Sequence, residues 1–272
     1  MAFNIYPLYS SSSGNMFNIE TSKADILIDV GVSYKAINLG LETIGKNIND
    51  ISAILITHEH IDHIKGLEMI CKKNSLPIYA CGKTADYLNN LLENKGIKAT
   101  INKINYNVPF NISNIEITPF KTSHDAVMPC GYNLVCDNKT ISYATDLGYV
   151  SEEILEYLKS SDFCVLESNY DKVMLDFGRY PYELKRRIKS DIGHLSNENA
   201  ANTITSLVKN GNNNFILAHL SENNNTEQIA KTTILDTLNL NDALDPNLNL
   251  SLATKKLSNE VYVVWSILKS YV

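Results

Sequence analysis

The sequence predicts a mixed α/β fold in which short strands alternate with amphipathic helices. Three observations predict it. Short apolar runs bounded by Gly, Asn, Asp and Ser recur along the chain. Between several of them, apolar residues return at helical spacing behind good capping residues. His, Asp and Glu repeatedly stand just past the end of an apolar run, and loops on a rigid sheet edge are where sites are built.

The elements follow in order. Residues 3–9, 16–20 and 26–30 read as strands, the first two parted by a tight turn at Ser10 to Asn15. Ser33 caps a helix running towards Ile44, and residues 52–57 form a buried strand. Ile64, Leu67, Ile70 and Cys71 then recur on one helix face. Residues 115–122 form a strand ending beside His124. Residues 132–136 and 140–144 pair across Asp137-Asn138, the second strand ending beside Asp146. Ser151 caps a helix with Glu152 and Glu153 at its positive end. Residues 163–166 lead to Glu167. Ser196 opens a helix whose inward stripe is Ala200, Ala201, Ile204, Leu207 and Val208, and residues 215–218 deliver His219. Polar loops follow at 210–214, 223–225 and 239–249, and the last strand is 261–264.

The 272 residues, 44% of them hydrophobic, suffice for a sizeable core and are read as one domain spanning 1–272. Nothing approaches the ~20 apolar residues of a membrane span, and the N-terminus lacks the basic start and apolar core of a signal peptide. A cytoplasmic protein with no membrane partner is expected. A net charge of −6 argues against a broadly basic nucleic-acid coat but allows a local basic strip. The five cysteines, with no zinc-ribbon spacing, read as buried small hydrophobes in a reducing compartment; Cys130, close behind His124, is the one nearest the chemistry.

That chemistry is densest at Thr57-His58-Glu59-His60-Ile61-Asp62-His63. Imidazole and carboxylate suit zinc, manganese or iron. A short loop after a strand can turn His58 and His60 towards one ion, and Asp62 and His63 towards a second. A helix start with polar caps is the bland reading, and four candidate ligands in six positions weigh against it.

His-x-His-x-Asp-His after an apolar strand resembles the signature of the metallo-β-lactamase-fold hydrolases. Asp29 in Ile28-Asp29-Val30-Gly31, His124 in Thr122-Ser123-His124-Asp125, Asp146 in Ala144-Thr145-Asp146-Leu147-Gly148 and His219 in Leu217-Ala218-His219-Leu220-Ser221 continue that pattern in order. The resemblance implies an αββα sandwich, two facing mixed sheets flanked by helices, with the site on one edge. Carried over by position, it implies one ion on His58, His60 and His124, a second on Asp62, His63 and His219, a bridging Asp146 and a supporting Asp29. Two such divalent ions activate water and clamp the oxygens of a displacement, which would make Asp62 and Asp146 catalytic as well as ligating.

The fold does not fix the substrate. Four features lean towards nucleic acid. His194 in Gly193-His194-Leu195-Ser196-Asn197 is not needed as a ligand and precedes a helix start, where phosphate is welcome; it is the third expected catalytic residue. Gly178 to Arg187 interleaves Arg179, Arg186 and Arg187 with tyrosines, a phosphate-binding and base-stacking mixture whose bland reading is a solvated helix face. Asn223 and Asn224 follow His219, and Ser196 follows His194, as further substrate contacts. Glu167 to Asp171 could line the same edge. Together with Ser12-Ser13-Gly14-Asn15, these stretches resemble the WalJ/YycJ-type branch of the family. That branch implies a cytoplasmic 5′-to-3′ exonuclease on double-stranded DNA using manganese or zinc. Tyr170 departs from its pattern, where histidine is common. The alternatives are a small-molecule hydrolase of a thioester, lactone or cyclic nucleotide, and a non-catalytic regulatory partner. The first has no use for the Gly178 to Arg187 strip, and the second none for an intact ligand set.

Overall fold

The structure, a computed structural model, describes residues 3–253 and the backbone of 262–265, with the side chain of Tyr262. One sheet contains β1 (Phe3–Tyr9), β2 (Met16–Thr21), β3 (Asp25–Ile28), β4 (Ala53–Ile56), β5 (Ile78–Cys81) and β6 (Ile101–Ile104) in that spatial order. The other contains β7 (Phe110–Ile112), β8 (Ile115–Lys121), β9 (Cys130–Cys136), β10 (Lys139–Ala144), β11 (Phe163–Glu167), β12 (Asn214–Ala218) and β13 (Asn249–Leu252). β14 (Tyr262–Trp265) pairs outside β1; the expected strand at 261–264 is thus present from Tyr262, and Val261 lies outside the described residues. Both sheets follow one plan. An antiparallel meander gives way to parallel strands, at β3/β4 in the first sheet and at β10/β11 in the second.

Side-chain alternation builds the layers. In β3, Ile26 and Ile28 face the opposite sheet while Leu27 faces helices. In β4, Ala53 and Leu55 face inward while Ile54 and Ile56 face out. Between the sheets, Phe3, Ile5, Phe17 and Ile19 meet Tyr132, Tyr143, Val165 and Ile216, with Phe17 edge-on to Tyr143 at 5.1 Å. On the outer face of the first sheet lie α1 (Tyr34–Thr43), the one-turn α2 (Ile61–Ile64), α3 (Leu67–Lys73) and α4 (Gly82–Glu93), through residues such as Ile37, Leu41, Ile70 and Leu88. On the second lie α5 (Glu152–Lys159), α8 (Asn197–Lys209) and α9 (Glu227–Leu240), through Ile154, Leu158, Ile204, Leu207 and Ile234. Between α5 and α8, α6 (Lys172–Phe177) and α7 (Tyr182–Ile188) form an arm with a small core of Tyr170, Leu175 and Ile188. This is the expected αββα sandwich.

Ser33, Ser151 and Ser196 cap α1, α5 and α8 as read from the sequence, each accepting a backbone N–H. Two readings shift, and one junction carries no expectation. β3 ends at Ile28 rather than at residue 30, because Asp29 turns into the left-handed region at φ 59°. The 239–249 stretch is not all loop: α9 runs to Leu240, and Asn249 opens β13. β5 and α4 carry no turn signal between them, since Cys81 both ends the strand and caps the helix. No helix among the described residues is long and apolar enough to cross a membrane.

The two sheets are locked together beside the heptapeptide. The Cys130 N–H donates to Thr57 O at 3.0 Å, and Tyr132 Oη donates to Ile56 O at 2.6 Å. Cys130 is buried there, and burial pushes its thiol well up, with Cys81 beside it adding to the shift. Gly31 holds the loop from the other side. Its N–H donates to Asn15 O at 2.9 Å, Asn15 N–H donates to Asp62 O at 2.9 Å, and a Cβ on Gly31 would fall 1.6 Å from Asp62 O. Gly31→Ala is therefore expected to lower the unfolding free energy by about 3 kcal/mol or more. Denaturant titration checks this; a loss within 1 kcal/mol (about the error of such comparisons) would show that the loop yields freely.

Candidate metal centre

Strand ends place the side chains. Asp29 follows β3, Thr57 and His58 follow β4, and His60 caps α2, which carries Asp62 and His63. On the second sheet, Asp146, Glu167 and His219 come off the C-terminal ends of three adjacent parallel strands, β10, β11 and β12. Asp29, Asp146 and His219 all have positive φ, at 59°, 56° and 57°. Asp and His tolerate that region better than most side chains, though it still costs of order 1–3 kcal/mol. At each strand end, the inverted residue swings its side chain over the sheet edge.

Four overlapping donor groups result, among them His58 with His60 and His124, Asp62 with His63 and His219, and Asp146 with Glu167, His194 and His219. His58 Nε2 and His124 Nε2 lie 3.0 and 3.3 Å from His60 Nδ1. Asp62 Oδ2 lies 3.4 Å from His63 Nε2 and 3.5 Å from His219 Nε2. Asp146 sits between them, with Oδ1 3.8 Å from His124 Nε2 and Oδ2 3.4 Å from His63 Nε2. Within each group the donor atoms lie within 4.8 Å of one another, close enough to hold a cation. Asp146 Oδ2 and His219 Nε2 are buried and make no hydrogen bond. Such orphaned atoms are costly unless something else satisfies them, and a divalent cation fits this donor set.

Buried partners fix the clustered side chains. Asp29 Oδ1 accepts from Thr57 N–H at 2.9 Å, while Oδ2 accepts from Thr57 Oγ1 at 2.9 Å and lies 2.7 Å from His63 Nδ1. This directs His63 Nε2 to the cluster, the usual carboxylate–imidazole support of a metal ligand. His124 Nδ1 lies 3.0 Å from Gly193 O. Asn15 Nδ2 reaches Asp62 O at 3.4 Å and lies 3.2 Å from His63 Nε2. Ser10 Oγ accepts from His219 N–H at 2.8 Å, and Asn169 Nδ2 donates to His219 O at 2.7 Å.

Electrostatics divides the site. Burial and neighbouring imidazoles push His58 well below the ordinary histidine range; burial also lowers His124. At His63 and His219 burial acts in the same sense but is outweighed. Asp146, Asp29 and Asp62 raise His63 well above its usual value, and Asp146, Asp62 and Glu167 raise His219 to about 10. Asp62 is held far below the carboxylate range by His63 and His219 in spite of its burial. Positive charge is favoured at the Asp62 side, and unprotonated ring nitrogens at the His58 side.

His194 borders both the His58 and the Asp62 groups, its ring 5.0 Å from His124 and 5.2 Å from His219. Its Nδ1 lies 2.9 Å from Glu167 Oε1, which also lies 2.7 Å from His219 Nδ1. Glu167 Oε2 accepts from the Leu147 and Leu195 N–H groups, both at 3.0 Å. From sequence Glu167 is expected only to line the edge, yet it clamps two histidines and two loops. Its position at the end of the strand between those bearing Asp146 and His219 was the available signal.

The expected substrate residues scatter more. Arg187 is committed to Asp125 through Nε and Nη2, next to His124, so it braces that loop. Arg186 is exposed and pairs with Glu183 at 3.3 Å, and Arg179 is exposed. Asn223 Nδ2 donates to Tyr180 Oη at 3.0 Å on the surface. Asn224 is buried against Gly178, with neither amide atom partnered. Ser196 is fully buried and its hydroxyl caps α8. Tyr170 is buried in the arm's core and pairs its backbone with Ser196.

Residues 25–219 match the family described as Beta-lactamase superfamily domain. Exodeoxyribonuclease YycJ of Bacillus anthracis is 38% identical over 240 residues, 88% of this chain and 90% of its own. Exodeoxyribonuclease WalJ of Streptococcus pneumoniae is 37% identical over 239 residues, 88% of this chain and 89% of its own. The fold is shared with the metallo-beta-lactamase fold protein YhfI from Bacillus subtilis, at a TM-score of 0.69 and 15% identity over 97% of this chain and all of that one. Human tRNase Z, short form, gives 0.64 and 14% over 97% of this chain and all of its own. The chain belongs to the beta-lactamase superfamily.

Proposed function

We propose that this chain is a metal-dependent phosphodiesterase that shortens double-stranded DNA in the 5′-to-3′ direction. One coincidence carries the reading: a cluster of imidazoles and carboxylates that suits divalent cations, in a chain aligning with about nine-tenths of two relatives named exodeoxyribonuclease. His58, His60 and His124 would hold one ion and Asp62, His63 and His219 a second, with Asp146 between them. Zinc, manganese and iron all suit these donors. Bound divalent ions supply Lewis acidity and an activated water.

The chain's own groups do the rest. Glu167 fixes Nδ1 of His194, so Nε2 is the nitrogen left to meet a phosphate or pass a proton to the leaving oxygen. Asp29 holds His63 in register through its Nδ1. Arg179 and Arg186, exposed on the arm, would offer positive charge to a duplex backbone.

Elemental analysis of the purified protein should give about two divalent ions per chain. His60→Ala and Asp146→Asn should cut turnover on end-labelled duplex DNA by at least ~10³-fold and lower metal content, with circular dichroism unchanged. Near-normal activity in either would show that the ligand set is wrong. His194→Ala should cost ~10²–10⁴-fold in rate while metal content holds; a matching loss of metal would make His194 a ligand instead. Arg179→Ala with Arg186→Ala should weaken duplex binding and reduce its salt dependence by roughly one unit of slope per lost phosphate contact. Hydrolysis of a small phosphodiester should be untouched. If these arginine variants and His194→Ala all degrade DNA like the parent, a small-molecule hydrolase is the better account.

A further inference from the structure

We propose that the cavity beside His124 is a nucleotide-binding groove, holding a deoxynucleotide unit of the DNA strand next to the phosphate being cut. This rests on the phosphodiesterase reading and deepens it by naming where the strand lies.

The cavity measures about 670 Å³ and shares a wall with the metal cluster through His124. That volume falls within the roughly 300–1,000 Å³ of small-molecule sites. Lys83 and Lys121 stand on its rim, both exposed and, among the described residues, in no ion pair. The basic groups on and just after α7 differ. Lys189 is engaged by Asp176, Lys185 donates to Asp176 O, and Arg187 is held by Asp125. Lys83 also lies in the first turn of the twelve-residue helix α4, whose dipole adds positive potential. The carboxylate lining the same cavity, Asp191, leaves the two lysines in excess.

A base and sugar have surfaces to meet. Tyr149, Val127 and Ile192 line the groove and are 48%, 47% and 52% exposed, unusual for three large apolar side chains around one cavity. An aromatic face beside cations is how single strands are held without sequence preference. These walls are held firmly against the ligand loops. Ser123 Oγ accepts from Tyr149 N–H and donates to Tyr149 O, both at 3.2 Å, and Gly148 N–H donates to Ser123 O at 2.9 Å. This ties the segment after Asp146 to the residue before His124. On the far side, Glu59 of the heptapeptide accepts from Val127 N–H at 2.7 Å. Thr84 Oγ1 donates to Met128 O at 3.1 Å. A small neutral substrate has no use for two lysines outside any ion pair on a cavity that His124 lines; a polyanionic strand does.

The test measures thymidine 5′-monophosphate binding to the metal-loaded protein by calorimetry, beside the KM for DNA. Lys83→Ala with Lys121→Ala should weaken the mononucleotide about tenfold and raise KM for DNA by a similar factor. Metal content and hydrolysis of bis(p-nitrophenyl) phosphate should stay as in the parent, and Lys83→Arg with Lys121→Arg should restore binding. Tyr149→Ala should weaken thymidine 5′-monophosphate but not deoxyribose 5-phosphate. A parent that does not bind the mononucleotide, or variants that bind it as the parent does, would overturn the groove. A parent that binds it through the lysines yet leaves DNA intact would keep the groove and overturn the nuclease reading.

Discussion

Four carboxylates, on Asp29, Asp62, Asp146 and Glu167, converge on the ends of two sheets, and all but Asp62 are almost wholly buried. Among the described residues no lysine or arginine pairs with any of them; their charged partners are histidines. Buried charge of one sign is among the most expensive features a fold can carry. It has to be offset by protons on His63 and His219, both held well up in pKa, or by cations that displace those protons. The rest of the molecule is arranged around that requirement. The sandwich supplies a dry wall, the strand ends supply the donors, and Asp29 and Glu167 each anchor an imidazole from behind.

The left-handed residues show how the fold meets it. A strand that continued straight past Asp29, Asp146 or His219 would carry the next side chain along the sheet. Inverting the backbone there turns it over the edge. The strain is tolerated because neighbours overdetermine the positions. Asp29 has three partners at hydrogen-bond distance, and His219 is held through its N–H by Ser10, its C=O by Asn169 and its ring by Glu167. Strain of this kind is stored where function needs a side chain placed rather than packed.

The sheet-forming runs, and the His, Asp and Glu that cluster past their ends, were legible because both follow from local pattern. Alternation sorts Ile26 and Ile28 from Leu27, and a polar residue past an apolar run has little reason to stand there except the edge. Residues defined by partners far along the chain were not legible. Arg187 reads as a phosphate binder until Asp125, 62 positions away, is seen to hold it. Ser196 is a local case: it reads both as a helix cap and as a substrate contact, and the cap takes the hydroxyl, which accepts the Asn199 N–H three residues on. Glu167 shows the converse, a residue with a bland local context whose role comes from sitting between two ligand-bearing strands. The β5–α4 junction was hidden because Cys81 serves as strand end and helix cap at once.

Glu59 joins the imidazole cluster to the cavity beside His124. In His58-Glu59-His60 the flanking imidazoles turn to the metal cluster. The side chain between them turns the other way, as alternation along an extended segment requires. There it receives the Val127 N–H and approaches Thr84 of α4 at 3.4 Å. The heptapeptide thus does more than present ligands. Its odd residue pins the loop and helix that wall the cavity beside His124. A change in that loop would be felt at the ligands, and a shift of His58 or His60 at the groove. Glu59 is thus one link between the imidazole cluster and the cavity wall, beside the Ser123–Tyr149 and Gly148–Ser123 bonds, which gives the spacing of the motif a reason beyond coordination.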